Sequence, residues 1–258
     1  MNLPATIQPL LTVVTHELPL QLGDTLVGCY LYGSAVWGDF DDDISDIDLL
    51  VVLMHDVGDD LFARLDGWHQ ALEAQFPVWA GRIEIAYIST TALQTFRSHN
   101  SPIAVISPGE PFNIKEAGID WLINWYTIRN QSVVLIGPPP DGIIPEIRDV
   151  EFRESVRRQV GEWRDWVSHT RDSRPFQAYT ILTMCRALYA WDSGTQVSKR
   201  VAAEWAMQQL PDYAGVIANA LEWRRNHRDN DINHAATYRY AVVMVQVVGE
   251  RMGLFGDD

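Results

Sequence analysis

The spacing of apolar and polar residues changes character midway along the chain. Before Gly137, short apolar runs alternate with helically spaced segments. Leu26–Tyr32, bounded by Gly23-Asp24 and Gly33-Ser34, reads as a strand, and the β-branched run 47–54 reads as a second, buried one. Leu61, Phe62, Leu65, Trp68, Leu72 and Phe76 recur at helical spacing. Residues 82–88 alternate, with Ile83, Ile85 and Tyr87 on one face and Arg82, Glu84 and Ala86 on the other, which predicts a third strand. Helices are expected at 5–18, interrupted by Pro9, and at 115–129, with a short extended segment at Val133–Ile136 after them.

Gly137-Pro138-Pro139-Pro140-Asp141-Gly142 can continue neither a helix nor a sheet ladder, so it marks the expected domain boundary. Beyond it, 146–170, 178–191, 197–209, 213–225 and 233–251 all read as helices, separated by Pro175, Ser193-Gly194, Pro211 and residues 226–230. The expected fold class is therefore α+β. A domain at 1–142, a mixed sheet flanked by helices, precedes an all-α helical bundle at 143–258.

Composition narrows the function. The formal net charge is −14 over 258 residues. Such an acidic balance argues against a nucleic-acid partner, which needs a basic footprint to displace counterions from phosphate. It suits a cationic small molecule, because carboxylate-lined clefts concentrate cations. No apolar run approaches the roughly 18 residues that a membrane span needs, and the first residues lack the basic n-region of a signal peptide. The two cysteines, Cys29 and Cys185, both sit in apolar stretches, which fits a reduced, cytoplasmic protein.

The densest chemical signal runs from Leu31-Tyr32-Gly33-Ser34 to Ser45-Asp46-Ile47-Asp48. A strand ending on Gly33-Ser34 lets phosphate approach the backbone, where the serine hydroxyl and exposed N–H groups can hold its oxygens. Asp46 and Asp48 stand two apart at a strand start, so both carboxylates face one side. Close carboxylates repel unless a cation lies between them, and hard oxygen ligands favour Mg²⁺ together with substrate phosphates. Glu84, on the polar face of its strand, is the natural third carboxylate if that strand neighbours 47–54. There it could ligate metal or take a proton from an attacking hydroxyl.

These residues resemble the signature of the DNA polymerase beta-like nucleotidyltransferase superfamily. Residues 31–52, together with 182–189 and 199–207, resemble the streptomycin/spectinomycin adenylyltransferases, the aminoglycoside nucleotidyltransferases. The resemblance implies a nucleotidyltransferase N-terminal domain. It also implies that Asp46 and Asp48 hold Mg²⁺ against the triphosphate of ATP, with Glu84 as catalytic base and third metal ligand. Gly33, Ser34 and Ser45 would contact phosphate, and Asp120 opens a segment near the nucleotide. Arg186 and Lys199 match cations brought to the triphosphate, with ATP bound between the two domains. Arg186 is also a charge in an apolar helix, which needs a partner if buried. Lys199 follows Ser198 at a helix start, an unfavourable end for a cation unless an anion binds there. The implied partners are a nucleotide and a small, cationic, hydroxylated acceptor, with no nucleic acid and no membrane. In the stretch that would contact the acceptor, Asp172 is the matching acid, whereas Phe176 and Tyr179 stand where polar or acidic groups are expected. Two alternatives to small-molecule adenylylation remain at this point. One is a protein-modifying, antitoxin-like adenylyltransferase, and the other a non-catalytic nucleotide-binding regulator.

Overall fold

The computed structural model describes residues 3–225 and 234–255. The expected break at 226–230, Asn233 at the start of the last expected helix, and the first two residues of the chain lie outside them. The chain divides into two compact units, Met1–Ile147 and Arg148–Asp258. Among the described residues, no helix is long and apolar enough to cross a membrane.

The first unit is built on a six-stranded mixed sheet. It contains β1 (Leu26–Tyr32), β2 (Ile47–Leu53), β3 (Ile83–Ser89), β4 (Ser101–Ser107), β5 (Glu110–Ala117) and β6 (Val133–Ile136), in the order β5-β4-β3-β2-β1-β6. β2 and β3 are parallel, joined through helix α2 (Asp59–Gln75), and the remaining pairs are antiparallel. Odd-numbered residues of β1–β3, among them Leu31, Leu49, Val51, Ile83 and Ile85, join Leu10, Val14 and Leu18 of α1 (Gln8–Leu22) and Leu65, Trp68 and Leu72 of α2 in one apolar core. Even-numbered residues therefore point to the opposite face, where Tyr32, Asp48 and Glu84 lie. Helices α3 (Thr90–Thr95) and α4 (Leu122–Gln131) complete the unit.

Three expectations are corrected. Pro9 does not interrupt the first helix. It sits in its first turn, where a missing N–H costs nothing, and the helix runs on through Pro19 to Leu22. The expected helix at 115–129 is instead strand β5 as far as Ala117, followed by α4 from Leu122. Strand β4, which had no counterpart in the sequence reading, pairs with β5 as a hairpin.

Beneath the sheet, His69 of α2 is 2% exposed, its Nε2 lies 3.0 Å from the Tyr87 hydroxyl, and Phe112 packs against both rings. Burial pulls the imidazole down to about 3. A folded value below the unfolded one of about 6.5 means that this site contributes fully above pH 6.5 and loses its contribution as pH falls toward 3. At 1.36 kcal/mol per unit the loss is about 5 kcal/mol. Thermal melts across pH 3–7 should show this acid limb, and His69→Gln should shift it to lower pH. An acid limb identical in the variant would assign it to other groups.

The second unit is helical, with α5 (Asp149–Trp166), α6 (Arg174–Ser193), α7 (Lys199–Gln209), α8 (Ala214–Arg225) and α9 (His234–Arg251). Pro175 lies in the first turn of α6, which thus begins ahead of the expected position 178. α6 is central: Ile181, Leu182, Met184 and Cys185 are wholly buried, and α5, α7, α8 and α9 all pack on it. Gln177 ties its start to α9. The amide Nε2 donates to the carbonyls of Thr170, Arg171 and His234, and Oε1 accepts from Thr237. Both cysteines are free and buried, their thiols pushed up to about 12 by desolvation.

Candidate active site

The sheet register assembles a row of polar side chains on one face. Tyr32 of β1 stands opposite Asp48 of β2, and Asp48 opposite Glu84 of β3. Asp46 precedes β2 by one residue and shares the face of Asp48. Asp46, Asp48 and Glu84 each offer an oxygen within 4.8 Å of the others, and among the described residues they are the one such group of three or more possible metal ligands. All three are half-buried.

Two local devices hold this geometry. At Gly33 the backbone has φ +73°, and a Cβ there would lie 2.0 Å from Asp48 Oδ2, so only glycine lets the turn at Gly33–Ala35 approach the carboxylate. The approach to Asp46 is tied down by Arg82. Its guanidinium donates to the Ser45 carbonyl and to that of Asp42 and lies over the Trp79 ring, while the backbone N–H of Asp41 donates to Ser45 Oγ. The acidic stretch 39–43 is thus an ordered loop rather than a merely solvated one.

The charges follow from this crowding. Desolvation, then repulsion from Asp46, raises Glu84 to about 7, with Glu110 adding to the rise and Lys115 and the Ser107 hydroxyl opposing it. Burial, with the charges of Glu84, Asp48 and Asp46 behind it, keeps the Tyr32 phenol protonated well above its ordinary range. Three acidic oxygens that cannot all ionise without cost suit a small divalent cation. In the turn that meets Asp48, the buried Ser34 Oγ has no hydrogen-bond partner, which suits a further oxygen-bearing ligand.

The other residues singled out in the sequence are placed as follows. Ser45 is 1% exposed and its hydroxyl serves the loop backbone. Asp120 is exposed, and its Oδ1 accepts from the Gly118 N–H in the turn before α4. In the helical unit, Arg186 is half-buried on α6. Ser198 caps α7 by accepting from the Val201 N–H, and the Lys199 ammonium lies 4.5 Å from the Tyr179 ring centre. Asp172 is exposed in the loop before α6, and Phe176 and Tyr179 are 60% and 44% exposed. The sequence reading missed Tyr32 and Ser107, both of which come to the carboxylates through strand register rather than through any motif.

A strand–turn–strand frame carrying two aspartates, with a third carboxylate from the adjacent parallel strand, is the arrangement expected of a nucleotidyltransferase site. A family model described as the C-terminal domain of aminoglycoside adenylyltransferase matches residues 142–246. Aminoglycoside (3'') (9) adenylyltransferases of Klebsiella pneumoniae and Escherichia coli are each 29% identical to the chain over 242 residues, covering 84% of it and 85% of their own length. The solved structure of spectinomycin adenyltransferase AAD(9) from Enterococcus faecialis, with ATP and spectinomycin, shares the fold at a TM-score of 0.70 and 19% identity, over 92% of this chain and 98% of that one. By these matches the chain is similar to the aminoglycoside adenylyltransferases over most of its length.

Proposed function

We propose that the protein transfers AMP from ATP to a hydroxyl of a small molecule, with aminoglycosides such as streptomycin and spectinomycin as the first acceptors to try. The observation that carries this reading is the meeting of Asp46, Asp48 and Glu84 at one point beside the glycine-limited turn. The relatives named for aminoglycoside adenylylation, and the neighbour solved with ATP and spectinomycin, support it. Asp46 and Asp48, with Glu84, would hold Mg²⁺, which when bound supplies positive charge against the phosphate oxygens. Gly33 and Ser34 bind phosphate through backbone N–H groups and the free Ser34 hydroxyl, while Ser45 shapes the loop that presents Asp46. Glu84 accepts the proton of the acceptor hydroxyl as its oxygen bonds to the α-phosphorus. The bond from that phosphorus to the bridging oxygen breaks, and pyrophosphate leaves. Arg186 and Lys199 are the cations that offset the leaving charge, and Asp120 belongs to the nucleotide side of the site. Asp172 is the acid proposed for the acceptor. Residues 1–142 form the nucleotidyltransferase domain and 143–258 the helical one, in a cytoplasmic protein whose acceptor class would connect it to antibiotic resistance.

The test is direct. Incubation of the protein with ATP, Mg²⁺ and streptomycin or spectinomycin should give a drug product heavier by one AMP moiety in mass spectrometry, with pyrophosphate released in equal amount. Failure of Mg·ATP to bind at all, in calorimetry on the folded protein, would overturn the reading.

A further inference from the structure

The row of side chains does not end at Glu84. Strands β3 and β4 pair Ile85 with Ile106 and Ala86 with Val105, so the next step of the register sets Glu84 opposite Ser107, whose hydroxyl hydrogen-bonds the carboxylate. The β4–β5 ladder pairs Val105 with Asn113 but Ser107 with Glu110, so a bulge lies between Val105 and Ser107. Bulges beside active sites re-aim a side chain and end the regular pairing. Past the bulge, Glu110 forms an ion pair of 2.5 Å with Lys115, and both charges are felt at Glu84. Lys115 pairs with Ile103, on the same face as Ser107.

We propose that Ser107 is the positioning residue of Glu84, its hydroxyl fixing the carboxylate so that the oxygen facing Asp46 and Asp48 is free for cation and acceptor, with Lys115 as the counter-charge that lets three carboxylates stand together. The inference rests on the function proposed above. A flexible glutamate near two aspartates would swing away from them to relieve repulsion, and a donor on the far side of its carboxyl opposes that swing. Donors in this outer position orient the ligand, and their loss typically weakens metal affinity between about tenfold and a hundredfold.

The two residues predict effects of opposite sign. Mn²⁺ alone, titrated into the full-length protein and followed by electron paramagnetic resonance, serves as the probe. Ser107→Ala should weaken Mn²⁺ binding about tenfold at unchanged melting temperature, and Ser107→Thr, which keeps the hydroxyl, should restore most of it. Lys115→Met removes a competing cation and leaves Glu110 unpaired, so it should tighten binding several-fold, an effect that packing damage does not produce. Wild-type protein that binds Mn²⁺, with Ser107→Ala binding it equally well, would overturn the positioning role and leave the proposed function standing. Wild-type protein that binds no Mn²⁺ would remove the metal site itself.

Discussion

Glu84→Gln should cut AMP transfer roughly a thousandfold, in keeping with loss of a general base, and at the same time make the metal-free protein more stable. Both effects come from one carboxyl. Its folded value of about 7 lies above the ordinary 4.5 because it is desolvated and faces Asp46. A carboxyl raised by folding costs nothing below pH 4.5, where both folded and unfolded chains are protonated. The cost grows between pH 4.5 and 7 and is complete above 7. At 1.36 kcal/mol per unit it reaches about 3 kcal/mol. Glutamine carries no such cost, so the variant should melt at a higher temperature than the wild type at pH 8, and the gap should close as pH falls to 4.5. Mg²⁺ should reverse the order by stabilising the wild type more than the variant. A gap that stays constant across this pH range would show that the gain comes from something other than the removed charge, and transfer that survives would remove Glu84 as the base.

Gly33→Ala tests the turn that meets Asp48. Alanine would be held at φ +73°, in the left-handed region, at a cost of about 1–2 kcal/mol. Its Cβ would lie 2.0 Å from Asp48 Oδ2, so the carboxylate has to turn away. The protein should still fold, while transfer drops roughly a hundredfold, as expected of a displacement of about 1 Å at a reacting centre. Because the damage passes through Asp48, the double variant Gly33→Ala with Asp48→Asn should be little worse than Asp48→Asn alone. Effects that multiply would mean that the turn acts independently of that aspartate.

The parts of this architecture that could be read from the chain are those with strong apolar periodicity. β1, β2 and β3 are buried on both faces, so they show as continuous or alternating apolar runs, and Glu84 stood out as a polar residue inside one of them. β5 lies at the sheet edge, with Glu110, Ile114 and Glu116 exposed and only Phe112 and Ala117 buried, so it carries no such pattern and merged with the helix after it. Polar edge strands of this kind avoid pairing with other chains, at the expense of a readable signal. The aspartates and Gly33-Ser34 were legible because their spacing is local. Tyr32 and Ser107 were not, because each is defined by the residue across the ladder, Asp48 for one and Glu84 for the other.

The parallel pairing of β2 with β3 also orders events during folding. β1 and β2 meet through a connection without a crossover helix, so Tyr32 can find Asp48 early. Asp48 meets Glu84 only after the chain has passed through α2 and returned, because parallel neighbours require a crossover. Asp46 and Asp48 are thus together once β1 and β2 pair, and the third carboxylate joins them only when β3 docks beside β2. The complete three-carboxylate centre thus reports the docking of β3 against β2, a long-range contact made across the whole of α2.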